Sequence, residues 1–359
     1  MQRQHYPALV NTARIHCDVS ASFPLHERVI AAANAAMLQL GVPEKGNYQA
    51  AADATQMVAA ARAEIATFLG VQPSEIFFCH SATQVAAELA RQASVHCDAV
   101  LYSPEDHLAT IRAVRAAGLP AQTLTYTPQG RYQLGDDVRA AKPLFLATHI
   151  HPLYGSNSSF TDIISAVNPA ITLLDISQSV ARVPINLSAM PVDAAYFSAQ
   201  KLGGIPGLGV VYIRQSSQAN FATLAHIEPH TMPVVLIEAL RAAVQVLTEA
   251  GIETCHDYLL HTTQQLVVPA LHDMPHVQLA KGVGISDVAC SGYGIVSFTV
   301  DGYGSQDVGM ILDDEGVQVR AGDHCVDPAA ADQDVVRLSW HCFTTEDELQ
   351  RVLAVIAEL

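Results

Sequence analysis

Short, almost uninterrupted apolar runs alternate with helix-period segments through the first two thirds of the chain. That alternation restricts the fold more than any other feature. EIFFC, DAVLY, PLFLATHI, ITLLD, DAAYF and GLGVVYIR have the length and the β-branched or aromatic content of buried strands. Between and before them lie helical patterns over 24–39, over 50–69 with a stop at Gly70, from about Thr83, and from His107 to Gly118. Strands that are apolar on both faces must be covered on both faces. The expectation is an α/β protein with a mainly parallel sheet between layers of helices. After about residue 232 the pattern changes. Two long helical stretches, 233–251 and 252–271, precede strands with polar alternation (VSFTVDG, GVQVRAG, VVRLSWH) and a closing helix, TEDELQRVLAVIAEL. This reads as a smaller C-terminal α+β domain. The expected division is a large domain over 16–244 and a small domain built from 1–15 and 245–359.

With 359 residues, half of them hydrophobic, the chain is long enough for one large core and a second domain. No uncharged apolar run reaches the ~18 residues a membrane span needs, and MQRQHYPALV lacks the apolar segment of a signal peptide. A soluble, cytoplasmic protein with no membrane partner is expected. The net charge of −16, with no basic patch, argues against a nucleic-acid partner, whose phosphates are bound by clustered Lys and Arg. The cysteines number seven, irregularly spaced and without a CxxC, which fits a reducing compartment better than a disulfide framework. His149-x-His151, His324-Cys325 and His341-Cys342 lack the paired spacing of a zinc site. They read as pocket or packing residues, and no metal is expected.

Lysine is scarce: there are four, and Lys201 sits in SAQKLGGIPGLGVVYIR, among small and apolar residues. Ligands of open α/β sheets bind outside the carboxyl ends of the strands. At those ends stand Ser81, Ala82 and Thr83 before a helix, His107 before another, Asp175 with Gln178 three residues on, and Ser198, Gln200 and Lys201. Singly, each has a bland explanation as a cap, turn or surface residue. Together they match the needs of pyridoxal 5'-phosphate. Its phosphate suits a helix N-terminus with hydroxyls, its ring nitrogen a carboxylate, and its aldehyde an amine that an apolar setting keeps neutral. The glycines at 203, 204, 207 and 209 would let the chain pass close under the cofactor.

These residues also carry a family likeness. VDAAYFSAQKLGGIPGLGVVYI resembles the cofactor-lysine segment of class V aminotransferases. SATQ resembles the family's phosphate turn, DHLA its ring-stacking histidine, and LLDISQ its Asp-x-x-Gln element. The similarity runs from about Ile15 to the C-terminus. VRAGDHCVDP and VVRLSWHCFTTEDELQRV resemble, more narrowly, the reactive-cysteine loop and the carboxylate-arginine strand of cysteine desulfurases and selenocysteine lyases. The resemblance implies a fold type I architecture with a seven-stranded sheet, and a homodimer. It implies that Lys201 carries the cofactor and moves the Cα proton, and that Asp175 faces the ring nitrogen. His107 stacks on the ring and relays protons as a catalytic residue, and Ala82, Thr83, Gln178, Ser198 and Gln200 complete the cofactor site. Arg337 grips the substrate carboxylate, with Arg320 beside it. Cys325 takes sulfur or selenium from an amino-acid substrate as a persulfide, leaving alanine, with a sulfur-acceptor protein as partner. Arg320 or a protonated His324 would favour the Cys325 thiolate.

Several positions depart from the family pattern. Gln200 stands for the usual His, and Pro152 for an Asn that faces cofactor and substrate, a role His151 or Asn157 would have to assume. Val234 stands for a Thr that reaches a neighbouring subunit's phosphate, with Thr231 nearby. The Cys325–Arg337 span is short. The alternatives are a C–S lyase, aminotransferase or epimerase in which Cys325 is incidental, and a cofactor-binding homologue with an interaction role.

Overall fold

The structure, a computed structural model, describes all residues except 11, 136–137, 222–226, 283–291, 323, 328 and 330–333. The apolar runs pair into one sheet in the order Ile76–Cys79, Gly209–Ile213, Ala194–Ser198, Ile171–Asp175, Pro143–Thr148, Ala99–Tyr102, Ala121–Tyr126 and Tyr132–Leu134. Neighbours from Ala194–Ser198 to Ala121–Tyr126 are parallel, and the flanking pairs are antiparallel. The sheet has eight strands where the resemblance implied seven. The extra one, Tyr132–Leu134, folds back on Ala121–Tyr126 at the edge and buries only Tyr132. Too short and too polar to carry a strand pattern, it exists because its partner's edge is open.

Register sets the site. Thr148 lies opposite Asp175, Asp175 opposite Tyr196, and Ser198 opposite Gly209. The carboxyl ends of adjacent strands therefore deliver their polar residues to one edge. Helices cover both faces, among them Gln49–Leu69, Ala82–Ala93, Leu108–Ala117 and Val234–Ala250. The sheet side chains divide between two apolar cores, one around Phe145, Leu174 and Phe197, the other around Leu146, Leu173 and Tyr196.

The C-terminal part of the chain has its own core around Phe298, Leu338, Trp340 and Leu353. Its sheet runs Val277–Leu279, Ile295–Val300, Val336–Ser339, Arg320–Ala321. The N-terminal segment is divided: Tyr6 and Leu9 pack in the large core, Ile15 and Cys17 in the small one. The single helix expected over 252–271 is interrupted. Ile252–His261 passes into a π-helical stretch, Thr262–Val267, before Val268–His272. Thr262 and Thr263 donate their hydroxyls back to the Tyr258 and Leu259 carbonyls, and Trp340 Nε1 donates to Thr262 Oγ1 at 2.9 Å. Pro269 adds a missing N–H.

GVQVRAG is likewise two strands. Val317–Gln318 pairs with Ile15–His16, and Arg320–Ala321 then switches to Val336–Ser339. The switch at Val319 places Arg320 directly opposite Arg337. Like charges opposite one another in a sheet are unfavourable, so this pairing points to an anion.

Candidate active site

A pocket opens at the carboxyl edge of the parallel strands. Every residue expected at the site lines it except Gln200. Lys201 lies in a 3₁₀ turn, Ala199–Leu202, directly after Ser198. Side chains three apart eclipse in such a turn, so Ser198 and Lys201 share the pocket face and Gln200 is directed elsewhere. The glycine argument also changes. None of the four glycines lines the pocket. A Cβ on Gly209 would lie 2.9 Å from the Ala82 nitrogen and 2.7 Å from Cys79 Sγ, so this glycine brings its strand against the N-terminus of Ala82–Ala93.

That N-terminus fits a phosphate. Ser81 is its N-cap by position but makes no side-chain cap bond, and Ala82 and Thr83 face the pocket. First-turn N–H groups are the ones a helix cannot satisfy internally. Across the pocket Asp175, 8% exposed, accepts the Ser177 N–H at 2.8 Å. Lys201 Nζ donates to the Ser20 carbonyl at 2.6 Å, and Gln178 Nε2 donates to the same oxygen at 3.1 Å. Burial, reinforced by the nearby Arg337 charge, pushes Lys201 down to about 8. About a tenth of it is then neutral at pH 7, against roughly one part in 2,500 for an ordinary lysine. An uncapped helix end, a carboxylate and a partly neutral amine around one cavity are the donor set that pyridoxal phosphate requires. One prediction follows from the lysine alone. Cofactor capture by the apoprotein, followed by its visible absorbance, should speed up about ten-fold from pH 7 to 9 and then level off. A rate still climbing through pH 10 would contradict a depressed amine.

His107 is the N-cap of Leu108–Ala117; its Nδ1 accepts the Ala109 N–H at 3.1 Å. Burial lowers its pKa, so the ring is neutral and carries its proton on Nε2. The cysteine loop is tied to this helix. The Cys325 carbonyl accepts the Leu108 N–H at 2.8 Å, and Val326 bridges to His107. Cys325 itself is left-handed, with φ 57°, a strained conformation for a residue with a side chain and one that recurs at functional sites. Arg320 Nη2 approaches its Sγ at 3.6 Å.

Arg337 is 3% exposed. Its Nη2 donates to Asp18 Oδ1 at 2.9 Å and its Nη1 to the Pro152 carbonyl at 3.1 Å, while Nε is buried without a partner. Lys201, Arg320 and Arg337 thus face Asp175 in the pocket, with Asp18 behind Arg337.

Three expectations are corrected. His324 cannot supply positive charge: burial pushes it down to about 4, and its Nε2 donates to the Val335 carbonyl at 3.0 Å. His151 cannot stand in at Pro152. Its Nε2 donates to the Glu105 carbonyl, its Nδ1 accepts from Leu153 and Tyr154, and it lies outside the pocket. Asn157 also lies outside it, accepting the Ser159 N–H. What sequence reading missed is the segment Asp18–Ser20, which holds Arg337 and Lys201. It is irregular backbone and carries no periodic signal.

The comparisons with known proteins concern the family and the fold. The family model for aminotransferase class-V matches residues 15–352. A cysteine desulfurase of Cronobacter sakazakii is 27% identical over 354 residues, covering 86% of this chain and 84% of that protein. The apo structure of a cysteine desulfurase from Thermococcus onnurineus NA1 superposes with a TM-score of 0.89 at 21% identity, over 99% of this chain and 96% of that one. A variant of C-DES with glycine covalently linked to its PLP cofactor gives 0.79 at 21% identity, with both chains covered completely. The chain belongs to the class V aminotransferase family. It is a pyridoxal-phosphate-dependent enzyme of the cysteine desulfurase-like kind.

Proposed function

We propose that the protein removes sulfur from L-cysteine, leaving L-alanine and a persulfide on Cys325. The observation that carries this is the placement of Cys325. Its sulfur shares one pocket with Lys201, lies under Arg320, and is held by a strained loop bonded to the His107 helix. Selenocysteine presents the same connectivity and is the closest alternative substrate.

The cofactor, when bound, supplies the electron sink for a carbanion at Cα. Ala82 and Thr83 would hold its phosphate, Asp175 its ring nitrogen and Lys201 its aldehyde carbon, with His107 against the ring. Arg337 binds the substrate carboxylate through charge-assisted hydrogen bonds. Lys201, partly neutral at pH 7, takes the Cα proton. Cys325, as a thiolate complemented by Arg320, attacks the substrate Sγ. The S–S bond forms as the Cβ–Sγ bond breaks. The electron pair stays with the carbon skeleton, which takes up one proton at Cβ, regains one at Cα from Lys201, and leaves as alanine. A homodimer is part of this reading. Met37, Leu38, Leu40 and Tyr48 are 60%, 82%, 88% and 53% exposed, an apolar surface that a second copy would cover.

The test is anaerobic incubation with L-cysteine, followed by mass spectrometry of the Cys325 peptide and analysis of small products. Alanine with a persulfide on Cys325 is expected. Pyruvate and ammonia, with Cys325 unmodified, would establish β-elimination instead. Arg337→Gln should raise KM for L-cysteine about 10- to 100-fold, the size of one charged hydrogen-bonding partner, with a smaller change in kcat. It should also weaken the fold, because Asp18 loses its ion pair.

A further inference from the structure

A second cluster of reactive side chains lies outside the pocket. Cys255 on the helix Ile252–His261, and His341 with Cys342 just after the strand Val336–Ser339, place one donor atom each within 4.8 Å of the others. None of the three lines the active-site pocket. Cys255 Sγ and Cys342 Sγ are 2.8 Å apart, and Cys342 Sγ is 3.3 Å from His341 Nδ1. Neither cysteine has a role in the proposed reaction.

The histidine is prepared as a ligand. Its Nε2 lies 2.7 Å from the Ala181 carbonyl, which can only accept. Nε2 therefore carries the proton, and Nδ1 presents its lone pair toward Cys342. A backbone carbonyl holding the far nitrogen is the device that orients metal-binding imidazoles. The backbone around it is held just as firmly. Arg182 Nη1 donates to the Trp340 carbonyl at 2.9 Å, and the Trp340 N–H donates to the Gly294 carbonyl at 3.0 Å. Cys255 and His341 are buried, while Cys342 is only half buried and lines an open groove with Met1, Arg3 and Leu9. That groove gives an ion a way in. Met1 Sδ, 4.0 Å from Cys255 Sγ, adds another soft atom to the surroundings.

We infer that Cys255, His341 and Cys342 form a binding site for one thiophilic d¹⁰ cation, Zn²⁺ or Cu⁺. Two sulfurs and one imidazole are a donor set these ions share, and hard cations such as Mg²⁺ and Ca²⁺ avoid it. Each thiol releases its proton on binding, and no electron transfer is involved. At a metal–sulfur distance of about 2.3 Å, tetrahedral ligands place two sulfurs roughly 3.7 Å apart. The pair must part by about 0.9 Å, within reach of small side-chain rotations. The ion would join the helix Ile252–His261 to the end of the strand that carries Arg337. Spacing in the sequence does not reveal the set, because the third ligand comes from a distant helix.

The experiment uses the reduced, chelator-stripped, cofactor-loaded protein in a Cys325→Ala background, which removes the active-site thiol. It is titrated with Co²⁺ as a spectroscopic probe. Zn²⁺ and Cu⁺ are then titrated anaerobically against chromophoric chelators. One equivalent per chain should bind, with a thiolate-to-cobalt charge-transfer band and a four-coordinate ligand-field band in the red, and the unfolding temperature should rise. The tighter of Zn²⁺ and Cu⁺ identifies the ion. Cys342→Ala, at a half-exposed position, should weaken binding at least about 100-fold, and His341→Gln about 10- to 100-fold. Cys17→Ala should change nothing. Binding that survives in Cys255→Ser/Cys342→Ser, or no stoichiometric binding of either ion, would overturn the site. So would a Cys255–Cys342 disulfide that forms with the metal present.

Discussion

Lys201→Ala should lower turnover by at least about 10³-fold, because in the proposed reaction Lys201 is both the covalent anchor and the base. It should also let the cofactor leave on dialysis. The fold should be unaffected. Lys201 donates to the Ser20 carbonyl, but Gln178 Nε2 reaches the same oxygen, so no buried carbonyl is left unpaired. The change also removes a buried amine beside two guanidinium groups. The unfolding temperature of the apoprotein should therefore hold steady or rise. A visible absorbance band that persists after dialysis of this variant would contradict the assignment of Lys201.

Cys325→Ala should lower persulfide and sulfide formation from L-cysteine at least about 100-fold, since no other pocket residue offers a nucleophilic sulfur among the described residues. The half-reaction before sulfur transfer should survive. Exchange of the substrate Cα hydrogen with solvent deuterium depends on Lys201 and the cofactor, and should continue near the parent rate. This separates loss of the nucleophile from loss of the site. A structural cysteine would behave differently, with stability falling and exchange falling along with it. Cys325→Gly sharpens the comparison. With φ at 57°, glycine relieves backbone strain of about 1 kcal/mol, so this variant should be at least as stable as the parent and equally unable to form persulfide. Undiminished sulfide release in either variant would refute the persulfide route.

Much of the site was legible because it lies at strand ends. Asp175, Ser198, Lys201 and the helix start at Ala82 each follow an apolar run, and parallel pairing brings the ends of such runs to one edge. Gln200 was misplaced because local spacing does not tell which face of a 3₁₀ turn looks inward. His324 looked like a source of charge in GDHCVDP. In three dimensions burial keeps it neutral, although its Nε2 donates to the Val335 carbonyl. The eighth strand went unread because Tyr132–Leu134 is stabilised by a neighbour's open edge rather than by its own composition.

The sequence by itself determined the class of fold, and it singled out Lys201 with Asp175 and His107 and the loop that carries Cys325 as the proposed site. These depend on short-range pattern: hydrophobic period, the residues that end strands, and the few side chains that can do a given chemistry. Only the tertiary structure decided how distant pieces meet. Asp18 against Arg337, Ser20 against Lys201, Arg320 opposite Arg337 through the strand switch at Val319, and Cys255 beside Cys342 all join segments well separated along the chain. The physical reason is that periodicity reports which face of an element is buried. The polar groups that meet there are set by register and by the packing of one layer on another, and neither is written in any local window of the chain.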